Sequence, residues 1–324
     1  MSKPSASPEP DFTGPLRGSE MERATLASLD RLREVLSVRP QGADRFRAAN
    51  EAGRFGRIFG GQLFAQAMCA AAATAPELSV HAVHASFLRP GDAGSALDIT
   101  VERTRDGRTM STRQVTVEQG GRALLIATVS LEVDDSNGGG DDGPAGLAGD
   151  RAGADPAGLD PEDLPLLQHW ALRAPPPLAA WARVWIEQPT PLEVRSGEPP
   201  AILGGERGSA ARSYWMRLPR PIEHDPLAHA VLLGYASDYL LVDTAFRAHP
   251  GDIAHATHIG LTLDHALWLH RPLRFDQWHV YRQQTVAVAG HRALVHGTVA
   301  DLTGRVVAST SQAVLIRPRV APPR

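Results

Sequence analysis

Two apolar periods alternate along this chain, and the change from one to the other marks out its elements. Leu26, Leu29, Leu32 and Leu36 recur three or four apart with charges between them, which predicts a helix over residues 25–36. After Gly60-Gly61 the run QLFAQAMCAAAATA is apolar nearly all round and made of small side chains. A helix without a polar face must be enclosed on most sides, and Pro76 ends it. Period-two segments follow at residues 80–87, 96–103, 110–118 and 122–133, separated by Pro90-Gly91, Asp106-Gly107 and Gly120-Gly121. One buried helix and then a run of long antiparallel strands is an α+β arrangement.

Residues 134–164 are rich in Gly, Asp, Ala and Pro and predict a flexible linker. The chain then repeats its order. Residues 165–184 are helical in parts, and strands are predicted at 192–195 and 211–218. A second long apolar helix is predicted over 229–245 with Asp238 in its middle, and strands at 262–268, 278–287, 293–301 and 305–316 complete the pattern. Residues 107–133 lie over 290–316 without a gap at an offset of 183, so that Gly121-Arg122 falls on Gly304-Arg305. Upstream, Arg89-Pro90 falls on Arg271-Pro272 at an offset of 182. The chain thus divides into a polar, Pro-rich leader (1–24), an N-terminal repeat (25–133), the linker (134–164), a C-terminal repeat (165–317) and a tail (318–324).

The halves differ in a way that points to chemistry. At these offsets Thr262 falls on Val80 and Gln312 on Val129, and Asp238 sits in a helix whose counterpart has no carboxylate between Gly60 and Pro76. Polar groups serving only the fold would be needed in both halves. A carboxylate on an apolar helix needs fixed partners, and a strand hydroxyl and a strand amide supply them. Together the three can hold a water and draw its proton as it attacks a carbonyl, with no nucleophilic Ser or Cys.

Composition narrows the field. With 43% apolar and 21% charged residues, the 324-residue chain can build a sizeable core. Its net charge of −3, without a dense basic cluster, argues against nucleic acid and anionic membrane surfaces as partners. Cys69 stands alone, so no internal disulfide forms and a reducing compartment is expected. The N-terminus lacks the apolar core of a secretory signal, no run approaches the ~18 apolar residues of a spanning helix, and the final APPR is no peroxisomal signal. A cytoplasmic protein is the expectation.

Other signals carry less. His249, His255, His258, His265 and His270 crowd one region but lack HExxH spacing or a completing carboxylate, so polar supporting roles are expected and no metal or other cofactor. GxSxG and GxxxxGK[ST] are absent, which removes the serine-elbow and P-loop sites. Arg54, Arg57, Arg89 and Arg271 are candidates for a phosphorylated ligand.

Ordered motifs in both halves resemble one family. FGGQ (59–62), HASFLRPGD (84–92), VERTRDGR (101–108), PLEVR (191–195), GYASD (234–238), LDHALWLHRP (263–272) and ASTSQ (308–312) are similar to the acyl-CoA thioesterase II family, from roughly Leu26 to Ile316. That resemblance implies a double hotdog: two helix-wrapped antiparallel sheets in one chain, joined edge to edge, with acyl-CoA at their junction. The family's catalytic Asp, Thr and Gln match Asp238, Thr262 and Gln312, the three that the repeat singles out. It implies hydrolysis of fatty acyl-CoA to free fatty acid and CoA, and further association into a dimer or tetramer. Gly60 and Gly61, opening the first helix, could polarise the thioester carbonyl, and Arg271 is the candidate CoA contact. Two other activities stand beside this one. One is a non-catalytic acyl-CoA-binding hotdog; the other is an enoyl-CoA hydratase, whose Asp and His five residues apart are missing here, since Asp243 follows Asp238 at that spacing.

Overall fold

The computed structural model describes residues 19–53, 56–133, 160–223, 225–251 and 253–319. Arg54, most of the predicted leader and linker, and the end of the tail lie outside the described residues.

The first helix, α1 (Glu20–Leu36), starts earlier than its leucine spacing suggests, inside the stretch assigned to the leader. Ser19 caps it, its hydroxyl accepting from the Glu22 N–H at 3.0 Å, and Glu20 and Glu22 occupy the positive first turn. A hairpin, β1 (Arg39–Gly42) and β2 (Arg45–Ala48), follows unannounced by sequence, because β1 is exposed throughout and carries no apolar alternation. Then come α2 (Gly60–Ala72), β3 (Ser79–Phe87), β4 (Leu97–Asp106), β5 (Met110–Gln119) and β6 (Arg122–Glu132). The second half adds α3 (Leu167–Leu172), α4 (Ala179–Glu187), β7 (Glu193–Arg195), β8 (Ala211–Arg217), α5 (Pro226–Ala236), α6 (Leu241–Ala248), β9 (His258–Leu269), β10 (His279–Ala289), β11 (Arg292–Asp301) and β12 (Val306–Pro318). The last residues assigned to the linker are packed, not loose: Leu164 is buried against Trp215, Trp278 and Val280.

Among the described residues all strands join one antiparallel sheet, ordered β1-β2-β4-β5-β6-β3-β9-β12-β11-β10-β8-β7. The duplication is visible in that order, since β4-β5-β6-β3 is mirrored by β9-β12-β11-β10. At the seam, β3 pairs with β9, and His84 faces Ala266. The offset of 182 carries His84 onto that same partner, so a pseudo-twofold axis passes between them. The halves share a bulge as well. Register shifts between Val80 and Ala82 on β3 and between Thr262 and Asp264 on β9, positions again related by 182. A bulge re-aims the side chains beside it. Because of this one, Thr262 and His265, three apart, both contact the helix side of the sheet.

Helix α2 lies on β3–β6 with Phe64, Ala65, Ala67 and Met68 fully buried, and α5 packs against it. Gly234 permits that approach; a Cβ there would stand 2.5 Å from Met68 Sδ. Two apolar helices sandwiched between sheet and partner explain why neither shows a polar face. No helix among the described residues is long and apolar enough to cross a membrane.

The single helix predicted over 229–245 is two. Helix α5 ends at Ala236, α6 begins at Leu241, and Leu240 between them has a left-handed φ of 62°. Such a conformation costs a non-glycine residue about 1–2 kcal/mol. The sheet supports the break. Tyr281 donates to the Ser237 carbonyl at 2.8 Å, while Tyr214 and Gln283 donate to the Tyr239 carbonyl at 3.0 and 2.7 Å. Carbonyls released from the helix ladder thus find buried donors on β8 and β10. Asp238 therefore sits in a tight turn at the head of α6, not in a helix.

Candidate active site

The turn between α5 and α6 brings Asp238 against the N-terminus of α2, so the carboxylate is shared between the halves. Its Oδ2 would lie 2.6 Å from a Cβ at position 60, and a Cβ on Gly61 would collide with the Tyr235 carbonyl. Both glycines are required by this approach. Gln62 and Leu63 turn their N–H groups back to the Phe59 carbonyl, and the Gly61 N–H donates to Asp238. That N–H, assigned from sequence to the substrate carbonyl, instead steadies the carboxylate. Phe59 clamps the junction, its ring edge-on to Tyr235 and Tyr239 at 5.1 Å each. Gly60→Ala should displace the carboxylate and lower kcat about a hundredfold, since errors near 1 Å in a reacting group cost that much. Turnover measured beside a circular-dichroism melt checks this.

From Asp238 a line of hydrogen bonds crosses to the second half's strands. Thr262 Oγ1 donates to Asp238 Oδ1 at 3.4 Å, and Gln312 Nε2 donates to Thr262 Oγ1 at 3.1 Å. The three residues singled out by the repeat are thus brought together. Their counterparts Val80 and Val129 are ordinary buried core. Burial raises the Asp238 carboxyl to about 7, against the pull of the Gly61 N–H, Thr262 and Gln312. A base so tuned is half-ionised near neutrality, where general-base catalysis is most effective.

From sequence, His265 is expected only in a polar supporting role. It lies across the strands from Gln312, and its Nε2 meets Ser237 Oγ at 2.8 Å. Burial lowers it to about 4, with Gln312 opposing that shift, so the ring is neutral. His265 thus touches the residue before Asp238 and stands opposite Gln312 on the neighbouring strand. Only its place in LDH, three residues after Thr262, could have signalled that, and without the bulge the two would face opposite ways.

Arg271 is not brought to this site. It is exposed beyond the end of β9, nine residues from Thr262, or about 30 Å along an extended strand. Nor do the histidines converge. His255 meets Asp243 Oδ1 at 3.0 Å, His270 meets Ser309 at 2.8 Å and His249 meets the Gly290 carbonyl at 3.2 Å. Among the described residues no three His, Cys, Asp or Glu side chains group as metal ligands would. One cleft of about 580 Å³ lies along β8, β10 and β11, and one of about 330 Å³ lies over the β3–β9 seam with His265 in its lining.

A twofold-repeated antiparallel sheet, each half backed by its helix, with a carboxylate–hydroxyl–amide line at the junction, is a double hotdog. Comparison with known proteins agrees. Residues 49–131 match the family described as "Acyl-CoA thioesterase N-terminal domain" and 161–316 its "Acyl-CoA thioesterase C-terminal domain". The chain is 31% identical over 294 residues to acyl-coenzyme A thioesterase 8 of Homo sapiens, covering 87% of this chain and 88% of that one. It is 29% identical over 277 residues to acyl-CoA thioesterase 2 of Haemophilus influenzae, covering 84% and 92%. In three dimensions it is similar to the crystal structure of an acyl-CoA thioesterase II from Mycobacterium marinum, with a TM-score of 0.68, 29% identity and coverage of 89% and 98%. The chain belongs to the acyl-CoA thioesterase family.

Proposed function

We propose that this protein hydrolyses fatty acyl-CoA thioesters through a water activated by Asp238, Thr262 and Gln312. The unbroken line from the Asp238 carboxylate to the Gln312 amide supports this most directly. Thr262 donates to the base and accepts from Gln312, which leaves a hydroxyl lone pair and the second amide N–H to orient a water. Asp238 takes the proton as water oxygen bonds to the thioester carbon. The tetrahedral intermediate collapses, the C–S bond breaks, and the proton passes from Asp238 to the departing thiolate. Gly60, whose N–H opens α2 beside Asp238, is the donor proposed for the carbonyl oxygen. The C-terminal repeat (165–317) then carries the catalytic side chains and the N-terminal repeat (25–133) the helix N-terminus facing them. The linker (134–164) connects the two. The reaction is proposed to serve fatty acid metabolism in the cytoplasm, in an assembly of two or four chains.

A colorimetric free-thiol assay over acyl-CoA chain lengths tests the activity, because only hydrolysis liberates the CoA thiol; a purely binding hotdog or a hydratase releases none. Thr262→Ala and Gln312→Ala should each lower kcat about 10²-fold, with KM changing far less, if both act in the transition state. Wild-type kcat in both variants would contradict their roles.

A further inference from the structure

The asymmetry between the halves extends to a fourth position. At the offset of 182 that carries Thr262 onto Val80, His265 falls on Val83. The sheet repeats the correspondence: Gln312 pairs with His265 across β12 and β9, as Val129 pairs with Val83 across β6 and β3. Both valines are fully buried core. In the second half the same cross-strand pair is an amide and an imidazole, equally buried, with the ring edge to face on Phe64 of α2 at 4.8 Å. Residues directly opposed on antiparallel strands share a face, with Cβ atoms about 5 Å apart.

The pair holds two unmet polar atoms. Gln312 Oε1 and His265 Nδ1 are buried with no hydrogen-bond partner among the described residues. The ring is neutral through burial and carries one proton, and its far side decides where that proton sits. Ser237 Oγ lies 2.8 Å from both the Gly234 carbonyl and His265 Nε2, and its hydroxyl has one proton to give. Given to Gly234, it leaves Nε2 protonated, and Nδ1 turns a lone pair toward Gln312. Lone pair then faces lone pair unless the amide turns over. A turned amide presents its oxygen to Thr262, whose hydroxyl proton is drawn away from Asp238. Given instead to Nε2, the Ser237 proton leaves the ring protonated on Nδ1, a donor for Gln312 Oε1. This arrangement keeps the Thr262 hydroxyl on a buried carboxylate at the cost of one neutral bond to Gly234. Hydrogen bonds to an ionised acceptor are about twice as strong as neutral ones, so the exchange is favourable.

We propose that His265 is a positioning residue of the hydrolytic site: its Nδ1–H donates to Gln312 Oε1 and holds the amide with its N–H groups toward Thr262 and the attacking water. The assignment rests on the water activation by Asp238, Thr262 and Gln312 proposed above. Catalytic hydrogen bonds are often long in the free enzyme and close in the complex, which is the change expected of this one.

NMR of the ring nitrogens in wild-type protein with labelled histidine reads the tautomer without an assay, His265 being identified by its contact with Phe64. A proton on Nδ1 is expected; a proton on Nε2 overturns the positioning role alone. Two variants then separate aiming from packing in a free-thiol assay. His265→Asn keeps an amide N–H near the place of Nδ1 and loses the reach to Ser237, whereas His265→Gln keeps that reach and loses the Nδ1 donor. His265→Gln should lower kcat for an acyl-CoA about 10–100-fold with KM nearly unchanged, as a misaimed reacting group does. His265→Asn should recover most of that loss. Equal kcat in the two variants, or the reverse order, overturns the role of Nδ1. Absence of thiol release by the wild type overturns the water mechanism, and the positioning role with it.

Discussion

Asp238→Asn should lower kcat by about 10²–10⁴-fold, the range of a positioned general base, while the folded protein becomes no less stable. Both halves of that expectation follow from burial. The carboxyl is 8% exposed and is raised to about 7, so the folded state holds its proton more tightly than the unfolded chain does. A pKa raised on folding favours the fold while the group is protonated. That contribution is complete below about pH 4 and is lost as pH rises through about 7. At pH 8 the ionised carboxylate therefore costs on the order of 4 kcal/mol relative to its neutral form. Asparagine keeps an oxygen to accept from Gly61 and Thr262 and removes the charge. Melting curves at pH 8 beside free-thiol assays give the result; a variant that unfolds, or one that turns over at the wild-type rate, counts against the assignment.

The second large effect is structural. Asp243→Asn should lower the melting temperature by about 10 °C, from a loss of roughly 3–5 kcal/mol for a broken buried ion pair. Asp243 sits in the first turn of α6 and accepts four hydrogen bonds: from the Ala201 and Ile202 N–H groups at 2.9 and 2.7 Å, Arg212 at 2.6 Å and His255 at 3.0 Å. It thereby ties the 201–203 turn, β8 and α6 together next to the turn that carries Asp238. Its partners outweigh burial and hold the carboxyl near 2. Here the sign is reversed. A depressed pKa contributes stability that is full above about pH 4 and is lost as pH falls towards about 2. Removing the acceptor also strands Arg212, which is buried and whose Nε and Nη2 already lack partners. Differential scanning calorimetry at pH 7 and at pH 3 should show the gap between wild type and variant narrowing in acid.

Much of this site could be read from sequence because the chain carries its own control. A duplicated fold turns each polar exception into a comparison, and Val80 and Val129 show what Thr262 and Gln312 would be if they served packing alone. The strands were legible because one face of the sheet packs on helices, which imposes alternation. What escaped notice depends on partners distant in sequence. No Gly or Pro marks the break after Ala236, since Tyr214, Tyr281 and Gln283, contributed by two strands, satisfy the freed carbonyls. The first half reads as scaffold by composition, yet its helix N-terminus donates to Asp238 through a backbone N–H that no side-chain pattern reveals.

One profile bears most directly on whether a buried carboxylate does the work: kcat/KM for an acyl-CoA from pH 5 to 9, which reports ionisation in the free enzyme. The activity should climb about tenfold per pH unit in acid and level off above a midpoint of about 7, and the residual activity of Asp238→Asn should lack that limb. A flat profile between pH 6 and 8, or a midpoint near that of an ordinary exposed carboxylate, would contradict it.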